Sequence, residues 1–100
     1  MTTQWSCAIC SKQIRWDELF TFYSKGAVHF TCFRDEVLKK DKSMEGLLDM
    51  LEKELKMIVD YKKYINNTSN EEAKRLLEEN EKDAEKHAAL LTKLIAKTLS

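Results

Sequence analysis

Four residues constrain this chain more than any others: Cys7, Cys10, His29 and Cys32. They form two pairs, each spaced by two residues, with eighteen residues between the pairs. A Cys-x-x-Cys pair can chelate one ion from a tight knuckle, because two intervening residues let both sulfurs turn inward. A His-x-x-Cys pair returning from the far end of a hairpin completes the donor set. Three thiolates and one imidazole are soft and borderline ligands that suit tetrahedral Zn2+. All four positions are then filled by the protein, which leaves none for water or substrate. The expectation is therefore a structural zinc. Such a site carries one net negative charge, which Lys12, Arg15 or Arg34 can offset. Iron can take the same donors. Buried free cysteines beside a core histidine are the remaining account, and it requires all three cysteines of the chain to adopt metal spacing by accident.

Around these ligands the sequence divides into two regions. Residues 1–33 hold seven of the nine aromatics and all three cysteines. Leu19 to Tyr23 is β-prone, Ser24-Lys25-Gly26 is a turn signal, and Ala27 to Phe30 can return as a second strand. A short helix should follow from Thr31, its N-cap, to about Lys40. Two long amphipathic patterns come next. The first, capped by Ser43, places Met44, Leu47, Leu48, Leu51, Leu55, Ile58, Val59 and Ile65 at helical spacing. Residues 66–70 interrupt it with Asn, Thr and Ser. Ser69 with Glu72 then reads as a capping box for the second, whose stripe runs through Ala73, Leu76, Leu77, Ala84, Ala88, Leu91, Leu94, Ile95 and Leu99. A short connection between amphipathic helices favours an antiparallel pair, about 33 and 45 Å long at helical rise. The predicted fold class is α+β, mostly α: a small zinc-knuckle β-hairpin head, a short helix and a long antiparallel helical hairpin. Residues 1–42 form the zinc-binding head and 43–100 the helical hairpin, packed as one compact unit.

One hundred residues make one small domain, for which a metal can compensate a modest core. Lys and Arg number 17 and so do Asp and Glu; the head is +2 and the tail −2. That balance does not suit a dedicated DNA-wrapping protein. No apolar run approaches the roughly 18 residues that span a bilayer, and Met1-Thr2-Thr3-Gln4-Trp5 lacks a secretory pattern. An odd number of cysteines argues against a disulfide framework, and thiols used for metal fit a cytoplasmic protein.

The run Cys7-x2-Cys10-x18-His29-x2-Cys32-Phe33 resembles the first zinc-binding half of a LIM domain. LIM domains continue with a second site whose first cysteine falls three residues after the fourth ligand. Asp35 stands there in this chain, and no later cysteine exists. A knuckle, a hairpin and a helix starting at the second ligand pair are also similar to a treble-clef finger. The whole layout is similar to a family of small archaeal zinc-binding proteins of unknown function. These resemblances imply binding and not turnover.

The aromatics of the head read as core in preference to a base-stacking platform. Lys39-Lys40-Asp41-Lys42 reads as a solvated helix end and His87 as a surface histidine. Neither a Ser/His/Asp grouping nor a phosphate loop can be assembled, so no catalytic residue is expected. Three functions are weighed: a non-catalytic interaction module with a protein partner or a second copy, a nucleic-acid-binding regulator using the finger, and a thiol redox enzyme on Cys7-x-x-Cys10. The first is preferred. A homodimer built on the longer helix, with Leu91 in its seam, is the expected assembly.

Overall fold

The structure is a computed structural model that describes residues 5–99; residues 1–4, which make up most of the stretch Met1 to Trp5 that lacks a secretory pattern, and Ser100 lie outside the described residues. Strands β1 (Trp5–Ser6) and β2 (Gln13–Ile14) pair antiparallel and bracket the first ligand pair. Strands β3 (Phe20–Tyr23) and β4 (Gly26–His29) form the one hairpin the sequence predicts, with Phe20 opposite His29 and Tyr23 opposite Gly26; the β1–β2 pair is additional to it. Gly26 has φ +117, a left-handed conformation that a side chain resists, so the glycine sets this turn.

Three helices follow: α1 (Phe30–Lys40), α2 (Glu45–Asn67) and α3 (Glu71–Ala96). The fold is α+β and mostly α, as the sequence predicts. The helix starts differ in detail from expectation. Thr31 lies inside α1, whose N-cap is His29 without a side-chain cap bond. Ser43 caps nothing. It donates from its backbone and hydroxyl to Asp41, which caps a single 3-10 turn at Lys42–Met44 ahead of α2. At α3 the capping box yields to Asn70, whose side chain accepts from the Ala73 N–H at 3.0 Å. Runs such as Thr-Ser-Asn contain several residues able to cap, and the backbone angle at each decides among them.

One hydrophobic core runs through head and hairpin. Phe30, Phe33 and Val37 of α1 and Val28 of β4 meet Leu48 and Leu51 of α2 and Ile95 of α3, all of them buried. Thr21 and Thr92 join β3 to α3 inside this core, their hydroxyls 2.6 Å apart. Of the head aromatics only Phe30 and Phe33 are fully buried; Trp5, Trp16 and Phe22 are exposed, so the core account holds for part of the set.

The two long helices are closer in length than expected, 23 and 26 residues. The excess of α3 is thus three residues, about 4.5 Å at helical rise. Beyond Ala96 the chain tightens into a 3-10 turn at Lys97–Leu99, and Leu99 packs against the core. Leu91 also packs inward against that core; Leu76, Leu90 and Leu94 face solvent instead. Among the described residues no helix is long and apolar enough to cross a membrane.

Candidate metal centre

Each ligand pair is placed by local backbone geometry. Between β1 and β2 the chain closes on itself: the Cys7 N–H donates to Lys12 O and the Ser11 N–H to Cys7 O, both at 2.9 Å. Ser11 adopts φ 66, the left-handed region that non-glycine residues enter at a cost of about 1–2 kcal/mol. That turn brings Cys10 back beside Cys7. The Ala8 N–H donates to Ala27 O at 2.9 Å and fixes the knuckle against β4. The second pair needs only the junction of β4 and α1, where His29 ends the strand and Cys32 occupies the first helical turn.

All four donor atoms lie within 4.8 Å of one another. Cys7 is buried, His29 and Cys32 are half-buried, and Cys10 lies at the surface. The His29 Nδ1 faces the sulfurs, 3.3 Å from Cys10 Sγ and 4.0 Å from Cys32 Sγ. Three backbone N–H groups, of Ile9, Cys10 and His29, donate to Cys7 Sγ at 3.4 Å each. Sulfur accepts such bonds best as thiolate.

The two more deeply placed thiols are driven in opposite directions. Burial of Cys7 opposes its ionisation, but the N–H groups of Cys10, His29 and Ile9 together outweigh it and lower the thiol to about 6. Cys32 is pushed up to about 12, first by burial and then by its hydrogen bonds to the Cys10 and Cys7 sulfurs and their charge. The cluster therefore stabilises one thiolate strongly and resists a further one beside it. A divalent cation removes that conflict, since it replaces the protons on all three sulfurs. The donor set, its convergence and its N–H bonds fit a metal ion. Among the described residues this is the one group of three or more His, Cys, Asp or Glu donors that converges in this way.

One contributor escaped the sequence reading. Glu18 Oε2 lies 3.6 Å from His29 Nε2, on the side of the ring away from the sulfurs. Its other oxygen accepts the Arg15 N–H at 2.7 Å, which holds the carboxylate in place. A carboxylate that closes to hydrogen-bonding distance of the far nitrogen orients a ligating histidine, and Glu18 stands where that contact would form. Nothing in the spacing to His29 signals this, because the contact depends on β3 pairing with β4. Of the cations expected to offset the site, Arg15 pairs with Asp17 and Arg34 approaches Asp49 at 4.0 Å. His87 is a surface residue, and the carboxylate near it is Glu54 of α2.

A family described as an uncharacterized protein conserved in archaea (DUF2175) matches residues 3–97. No curated protein and no solved structure matches the chain.

Proposed function

This chain belongs to that family of archaeal proteins, and from this premise we propose a non-catalytic protein whose Cys7, Cys10, His29 and Cys32 hold one structural zinc ion and whose helical hairpin docks a protein partner. The observation that carries the reading is the convergence of three thiols and one imidazole with no donor missing. Zinc is preferred over other metals by this soft, tetrahedral set. The order of knuckle, β-hairpin and helix supports a treble-clef relation for the head. The LIM likeness reaches one site only, because Asp35, where LIM domains continue with a cysteine, is a residue of α1. When bound, the ion supplies folding free energy to a head that has few aliphatic side chains. Three cysteines without a disulfide fit a reducing, cytoplasmic setting.

Elemental analysis of purified protein tests this directly. About one zinc per chain is expected, with Cys10→Ser losing it, and the thiols should become reactive only after a chelator is added. Rapid thiol labelling with metal still bound would favour the redox alternative.

One observation supports nucleic acid as a second reading. Trp5 stacks edge-on against Phe22 at 5.2 Å, Phe22 against Phe20 at 5.6 Å, and Lys62 lies 5.9 Å over Phe20. Such a surface can stack bases. It predicts salt-dependent binding of single strands that Phe22→Ala weakens; binding indifferent to both would remove this reading.

A further inference from the structure

The helical hairpin leaves uncovered the face that points away from the zinc-binding head. Glu54 of α2 and His87 of α3 mark its seam, with Glu54 Oε1 3.8 Å from His87 Nδ1. Exposed residues three, four and seven positions from these two share their side of each helix. On α2 that rule selects Met50 and Met57, and Met57 leads seven residues on to Tyr64. On α3 it selects Asp83, Leu90 and Leu94, with Leu76 seven residues before Asp83. Six of the nine large apolar side chains exposed among the described residues lie on this face, each 45–63 % exposed.

Their placement has an internal symmetry. The Glu54–His87 contact sets the antiparallel register, so Met57 stands level with Ala84, Met50 with Leu91 and Tyr64 with Leu77. Met50 and Tyr64 lie seven residues either side of Met57, while Leu76 and Leu90 lie seven either side of Asp83. The two central residues lie within one residue of the same level. A twofold axis lying across the helices at that level returns the face onto itself.

We propose that this face docks a second copy of the chain, which rests on reading the hairpin as a protein-docking surface and gives that surface its partner. In the dimer Met57 meets Met57 of the partner subunit on the axis. Met50 lies over Tyr64 of the partner subunit, and Leu76 over Leu90 of the partner subunit. The same rotation sets Lys53 beside Asp60 of the partner subunit; it also brings Asp83 opposite Asp83 of the partner subunit, with Lys86 of each copy one turn away to offset that pair. The available area is sufficient. Two helices of 23 and 26 residues present a face roughly 35–39 Å long and 20 Å wide. That is about 700–800 Å² per copy, what a standard stable interface uses. Apolar repeats of seven suit helices packing at about 20°, which makes the dimer a four-helix bundle with a zinc head on each outer side.

Light scattering and metal content, read on the same full-length samples, test the proposal. The unmodified protein at micromolar concentration should have about twice the 11.7 kDa chain mass. Met57→Glu replaces the apolar contact on the axis by two further acidic groups beside the Asp83 pair and should halve that mass, with helical ellipticity and one zinc per chain retained. Lys53→Glu should weaken the dimer about tenfold and Asp60→Lys added to it should restore the dimer. Residues 53 and 60 are too far apart to pair within one helix, so rescue reports the contact between copies. A monomer at every concentration overturns the proposal, as does a dimer indifferent to Met57→Glu and broken by Phe22→Ala. A zinc-loaded monomer refutes self-association while leaving the metal reading intact; a metal-free dimer does the reverse.

Discussion

At the scale of single residues, the convergence of Cys7, Cys10, His29 and Cys32 was legible because their chemistry and spacing are local. A Cys-x-x-Cys knuckle and a His-x-x-Cys pair each bring two donors together within one turn of chain, and all three cysteines of the chain fall in that pattern. What surrounds those residues was not legible. Ser11 gives no sign in the sequence of its left-handed φ of 66, since glycine is the residue usually found there. Glu18 becomes a neighbour of His29 only once the second hairpin has formed, with its carboxylate held by the Arg15 N–H. This carboxylate has a measurable consequence. Glu18→Gln keeps the shape and removes the charge that orients the imidazole, so zinc affinity should fall about 10–100-fold with the fold unchanged. Competition with a chromophoric chelator measures it, and unchanged affinity would show that the backbone alone positions His29.

Among the elements, the long helices announced themselves through apolar residues stepping by three and four, and the second hairpin through its β-prone runs and Gly26. The caps did not, because Asp41, Ser43, Ser69 and Asn70 are all chemically able to cap and only local backbone angles distinguish them. Thr92 is a sharper case. It is polar and absent from the leucine stripe, yet it is fully buried because Thr21 of β3 supplies its hydrogen-bond partner at 2.6 Å. Partner and burial come from opposite ends of the chain. Thr92→Val should leave the Thr21 hydroxyl buried and unpaired, at a cost of about 1–3 kcal/mol. Replacing both by Val should recover most of that loss, because no unpaired hydroxyl remains. Urea denaturation of the single and double variants decides it; equal losses in both would mean the bond contributes little to holding head on hairpin.

Over the whole molecule, a head with two short hairpins rests on one side of a helical pair, giving extents of 46 × 30 × 16 Å. The sequence did carry the apolar surplus of the second long helix, but it located that surplus in length. Tertiary register relocates it to a lateral face, because α3 ends near α2 and its last turn folds onto the core. Heptad repeats on two helices can be listed from sequence, whereas their common level needs the Glu54–His87 contact. The head is the weaker half of this arrangement. It has strands of two and four residues, and its thiols Cys7 and Cys32 are driven to opposite protonation preferences. A metal that organises the head should therefore be needed for its protection and much less for that of the hairpin. Hydrogen exchange with and without a zinc chelator measures this most directly. The amides of residues 5–33, those of Ile9, Cys10 and His29 foremost, should lose protection when the metal is removed, while the centres of α2 and α3 keep theirs. Unchanged protection across residues 5–33 in the metal-free protein would contradict a structural role for the site.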